Sequence, residues 1–128
     1  MAQALLFNIK DTKLEKIRFL LMKLGISCRE IPPEDFVLPL GILTGRGLVS
    51  GTGDDCGPFT GEMLVMDGFD SRQLQKLLDG LRREGAAVAL KAVVTEQNLR
   101  WSAARLYTEL SAEHEAMSRA HAKSVHKG

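Results

Sequence analysis

Apolar positions recur along this chain in two rhythms. Ala4-Leu5-Leu6-Phe7-Asn8-Ile9 is a short apolar run that predicts a buried strand. Leu14, Ile17, Leu21 and Leu24 then return at helical spacing, with Lys13, Lys16 and Lys23 on another side. Thr12 and Glu15 have the spacing of a capping box, and Gly25 is placed to end that helix. Ile26 to Ile31 predicts a second strand, stopped by Pro32-Pro33, because neither proline donates to a sheet ladder.

The rhythm resumes at Met63-Leu64-Val65-Met66, a third apolar strand. Asp70 and Ser71 are candidate caps for a helix whose stripe is Leu74, Leu77, Leu78 and Leu81 and whose stop is Gly85. Ala87 to Val94 predicts a fourth strand, apolar on both faces except at Lys91. Alternation puts Val88, Leu90, Ala92 and Val94 on one face and Ala87, Ala89, Lys91 and Val93 on the other. Ser102 caps a third helix, with Trp101 and Leu106 at the spacing of a hydrophobic staple. Ala103, Leu106, Tyr107, Leu110 and Met117 form its face, and a basic, disordered tail is expected over 119–128.

The two rhythms superpose at an offset of 60 residues: Leu14 on Leu74, Ile17 on Leu77, Leu21 on Leu81 and Gly25 on Gly85. This predicts an internal duplication, with repeat halves at about 4–39 and 63–95 inside a single α+β domain over 1–118. Two strand-helix-strand repeats plus a C-terminal helix point to a ferredoxin-like sandwich with strands one and three central. Between the halves, 41–61 is a glycine-rich connection, too long for an ordinary loop. Ile42-Leu43 and Leu48-Val49 would pair there as a hairpin around Thr44-Gly45-Arg46-Gly47.

Composition narrows the function. The chain has 128 residues, 45% hydrophobic and 26% charged, with a net charge of +1, so no global field draws nucleic acid or membrane. Few aromatic residues fall on strands, which argues against base stacking on the sheet. Two cysteines are too few for a disulfide framework, and no apolar run has the length of a membrane span or signal peptide. The expectation is a soluble cytoplasmic protein.

One stretch carries a resemblance. Met63-Leu64-Val65 leading to Phe69, then Leu90-Lys91-Ala92-Val93-Val94-Thr95, Asn98, Trp101-Ser102 and Glu113-His114-Glu115 resembles the bacterial and archaeal family known as domain of unknown function 3783. The resemblance covers about residues 62–117 and reaches more weakly to Pro33-Glu34-Asp35 and Leu40-Gly41. It implies a fold and no activity, cofactor or site.

The motifs of chemistry are absent. The glycine-rich segment has no Gly-x-x-x-x-Gly-Lys-Ser/Thr, and Gly45-Arg46-Gly47 lacks the third glycine of a dinucleotide fingerprint. Cys28 and Cys56 form no Cys-x-x-Cys pair, and His114 and His121 are seven apart, so no metal or cofactor is expected and no catalytic residue is assigned. The ligand-binding candidates are Lys91, Asn98, Trp101 and Arg46. Lys91 stands out, because an ammonium within an apolar strand needs a partner or a path to water. The expected function is a non-enzymatic interaction or regulatory module. It would form a homodimer, or bind a protein partner, through helix three or a sheet face left open. The alternative is a binder of a small anion or metabolite, or an enzyme, using the glycine-rich loop and Lys91.

Overall fold

In the computed structural model, residues 2–46 and 59–127 are described, with side chains as far as Arg119. The elements are β1 (Gln3–Phe7), α1 (Asp11–Lys23), β2 (Ser27–Glu30), α2 (Leu40–Leu43), β3 (Met63–Asp67), α3 (Ser71–Arg83), β4 (Lys91–Val93) and α4 (Ala103–Lys127). Short 3₁₀ turns at Pro33–Asp35 and Asn98–Arg100 precede α2 and α4. The four strands form one sheet in the order β2-β1-β3-β4. β1 and β2 are parallel, β3 and β4 are parallel, and the central pair β1/β3 is antiparallel.

The architecture is α+β with β1 and β3 central, but the strand order is not that of a ferredoxin-like sandwich. There the two strand-helix-strand units interleave; here each closes on adjacent parallel strands. The physical reason is the connection after β2. It leaves along the far side of the sheet through the Pro33–Asp35 turn and α2, so no hairpin ties β2 to β3.

The two units match closely. β3 and α3 begin and end 60 residues after β1 and α1. Both helices stop in the same way: Gly25 and Gly85 have φ of +71° and +66°, which a side chain would strain, and Ile26 and Ala86 donate to Leu21 and Leu81 carbonyls. In the β1/β3 ladder Leu5 lies opposite Val65, its own counterpart.

The starts of the two helices differ. Asp70 caps α3 in a capping box with Gln73. The expected box of Thr12 and Glu15 does not form, because α1 begins two residues earlier, after Lys10, without a side-chain cap. Two lysines of α1 reach across to the second unit. Lys13 Nζ lies 2.7 Å from Glu62 Oε1 and donates to the Ala87 carbonyl, while Lys16 donates to the Glu84 carbonyl past the end of α3. Cations there oppose the negative end of that helix.

Alternation along the central strands builds two cores. Ala4, Leu6, Leu64 and Met66 face α1 and α3, where they meet Ile17, Leu20, Leu21, Leu77 and Leu81. Leu5, Phe7, Met63 and Val65 face the other way, onto Phe36, Leu40, Leu43, Phe59 and the start of α4. The second face is therefore closed, not open as the sequence implied. Phe36 stacks on Phe59 at 4.3 Å between ring centres and tilts against Phe7 at 5.4 Å; Tyr107 stacks on Phe59 at 4.2 Å.

Three further expectations change. Ile42-Leu43 is helical within α2, held by the Thr44 hydroxyl on the Leu40 carbonyl, so this arm of the hairpin is not a strand. Leu48-Val49, Cys56 and the glycine-rich centre lie outside the described residues. β4 is three residues long, and a bend at Ala89 interrupts the alternation, so Val88 joins the helix-side core while Leu90, Ala92 and Val94 join the other. The basic stretch expected as a tail continues α4 as far as Lys127.

Candidate functional site

The four candidates do not meet. Asn98 is buried and both atoms of its amide are bonded: Oδ1 accepts from Thr95 N–H at 2.8 Å and Nδ2 donates to the Val93 carbonyl at 3.1 Å. Thr95 Oγ1 accepts from Asn98 N–H in return. The residue builds the corner between β4 and α4.

Trp101 stands at the start of α4, half-buried against the second core, with the Arg105 guanidinium 4.5 Å from its ring centre. The amides of α4's first turn are already satisfied. Ala103 N–H donates to the Leu38 carbonyl, Ala104 N–H to that of Phe36, and Arg105 N–H to Ser102 Oγ. The open amides that make a helix start attractive to anions are therefore taken by 36–38 and the cap. Trp101→Ala should cost about 2 kcal/mol in chemical denaturation, below the value for a fully buried ring. A loss under about 0.5 kcal/mol would remove its structural role.

Arg46 also has an internal partner. Its Nη2 lies 2.6 Å from Oδ1 of Asp67, whose side chain is only 5% exposed. Gln3 Nε2 donates to Asp67 Oδ2 and to the Thr44 carbonyl, so the group ties the end of α2 to the β1/β3 pair.

Lys91 sits on edge strand β4 in a cleft of about 360 Å³ lined by Gln75, Leu78, Leu81, Arg82 and Ala87. Its Nζ donates to the Val88 carbonyl across the bend. Arg82 is held by Asp79, which also accepts from Gln75. Among the described residues no group of three or more His, Cys, Asp or Glu is placed to hold a metal, and no buried polar side-chain atom lacks a partner.

A different surface, not marked by the sequence reading, lies at the opposite edge. Phe19 and Met22 on the outer side of α1 are 55% and 67% exposed. With Glu15, Arg18, Ile26 and Cys28 they line a groove of about 490 Å³ between α1 and edge strand β2. Burial pushes the Cys28 thiol up, with Arg18 opposing and Glu30 reinforcing the shift, so the sulfur is a neutral apolar surface at physiological pH. A signal was present in the sequence: Phe19 and Met22 fall off the Leu14/Ile17/Leu21/Leu24 stripe.

Fold and surface together define a mixed α+β protein of two strand-helix-strand units with filled sheet faces and an apolar groove at one edge. Residues 62–117 match the model of the family described as Domain of unknown function (DUF3783), the segment running from β3 through α3, β4 and the Asn98 corner into α4. This is the stretch on which the sequence resemblance rests. No curated protein and no solved structure matches the chain. No helix among the described residues is long and apolar enough to cross a membrane.

Proposed function

We propose that the protein is a non-enzymatic interaction module that self-associates, and that its working surface is the α1–β2 edge. The observation that carries this reading is the exposure of Phe19 and Met22 side by side on one helix, at the rim of an apolar groove. Contiguous exposed apolar surface of this kind is what a partner can remove from water. The sheet face first expected to provide the interface is filled by Phe36, Leu40 and α4. Sedimentation equilibrium tests the reading. Wild type is expected to dimerise at micromolar concentration, and Phe19→Glu to weaken the dimer about tenfold or more by placing a charge in an apolar contact. A wild-type monomer at about 100 µM would remove the proposal.

We also propose that the halves are copies of one unit. The matched element boundaries, the paired glycine stops and the Leu5–Val65 register support this. So does the contact of α1 with α3. A Cβ on Gly80 would come 2.9 Å from Leu20 Cδ2, and these are equivalent positions in the two units. A two-fold axis makes equivalent residues compete for one space; a large residue on one copy and none on the other resolves the competition.

The second reading, a small-anion binder, is favoured by one observation: Lys91 lines a cleft together with the apolar Leu78, Leu81 and Ala87. With Arg82 neutralised by Asp79, Lys91 is left as the cleft's net charge, which suits a monocarboxylate with an apolar body. Octanoate titrated into ¹⁵N-labelled protein would then shift Leu78 and Ala87 saturably, and Lys91→Met would abolish the effect. Equal binding of octanol would rule out the role of the ammonium.

A further inference from the structure

We infer that the partner at the α1–β2 edge is a second copy of this chain, joined by antiparallel pairing of β2 with β2 about a two-fold axis through Cys28. The inference rests on the proposed self-association and specifies its geometry.

The backbone supplies the first argument. Ser27 N–H donates to the Ala2 carbonyl and Ile31 N–H to the Leu6 carbonyl, so odd-numbered residues of β2 turn their amides toward β1. By alternation, Cys28 and Glu30 turn theirs away from the sheet, along an edge that no described strand covers. A second strand can use those groups only in registers that place even-numbered residues in hydrogen-bonded pairs.

Charge selects among these registers. Pairing Cys28 with Glu30 of the copy sets Arg29 against Arg29, and like charges directly opposite destabilise a ladder. Pairing Cys28 with Cys28 sets Arg29 against Ser27 and removes the conflict. The charges that usually guard an edge strand are also folded back here. Arg29 Nη1 donates to the Leu43 carbonyl at 2.7 Å, and Glu30 Oε2 lies 3.2 Å from Arg18 Nη1.

Side chains supply the second, independent argument. Cys28 lines the same groove as Phe19 and Met22. Joining two four-stranded sheets at this edge makes one of eight strands and lays the two α1 helices beside each other on the same face. Their outer sides, with Phe19 and Met22, then meet over the axis. The most exposed apolar residues of α1 are thus the ones this geometry covers, and the neutral Cys28 is the residue that it places on the axis.

Oxidative cross-linking of the intact chain tests the geometry. In a hydrogen-bonded antiparallel pair the Cα atoms are about 5.5 Å apart, within disulfide range, whereas a shift of two residues carries them beyond it. Copper-phenanthroline oxidation followed by peptide mass mapping is expected to give Cys28–Cys28 as the main linked pair. Phe19→Glu, checked for folding by circular dichroism, is expected to slow that link about tenfold or more. A dimer in sedimentation without a Cys28–Cys28 link would overturn this geometry and leave self-association standing. A monomer would overturn both. A link that forms at the same rate in Phe19→Glu would show random collision and equally overturn the inference.

Discussion

Phe36→Ala is expected to destabilise the protein by about 4 kcal/mol, among the largest single-residue effects in the chain. The ring is fully buried, stacked on Phe59 and tilted against Phe7, and its carbonyl accepts from Ala104 N–H at the start of α4. Truncation leaves a cavity between the sheet and the segment that seals its second face, and neither neighbouring ring can collapse into it without losing its own contacts. Urea denaturation followed by circular dichroism measures the loss. A change below about 1 kcal/mol would mean that residues 33–44 do not close the sheet, and the argument for an edge interface would lose its premise.

Arg46→Met is expected to cost about 2 kcal/mol in the same measurement. The substitution keeps much of the packing and removes the charge facing Asp67, whose carboxylate stays buried with Gln3 as its remaining described partner. Breaking a buried pair costs more than this, about 3 to 5 kcal/mol, but the Arg46 side chain is 46% exposed and solvent already screens it. The double variant Arg46→Met/Asp67→Asn should recover part of the loss, since it removes the uncompensated charge. A neutral Arg46→Met would show that the ion pair is not structural, and would return Arg46 to the set of residues free to meet a ligand.

The regular parts of this fold were legible because their information is local. Strand, helix stripe and glycine stop recur 60 residues apart, and each is decided by neighbours within a few positions. The filling of the second face was not legible. It depends on Phe36, Leu40 and Phe59 meeting Phe7 across long sequence separations, from a stretch with no period of its own. The strand order was missed for the same reason, since it follows from where the connection after β2 travels. The bend at Ala89 shows the limit of alternation: one irregular residue moved Val88 to the other core.

The candidate residues divide along the same line. Asn98 and Trp101 are tied to backbone groups, the Asn98 amide to the Val93 carbonyl and the Trp101 carbonyl to Leu40 N–H, which no side-chain pattern announces. Arg46 has a buried partner only because β3 ends beside α2. Lys91 lines a cleft on the edge strand, with its ammonium on the Val88 carbonyl. The α1–β2 groove was partly readable: Phe19 and Met22 are apolar residues on the polar side of an amphipathic helix, and a helix face drawn without them hides a surface that the sheet does not claim.

Amide hydrogen exchange at Cys28 and Glu30 as a function of protein concentration tests the edge interface most directly. These two amides point away from β1, so in the monomer they should exchange faster than those of Arg29 and Ile31, which face it. Between about 1 and 100 µM, the range of a micromolar dimer, their exchange should slow about tenfold or more while Arg29 and Ile31 stay unchanged. Exchange at Cys28 and Glu30 that does not depend on concentration would contradict the account.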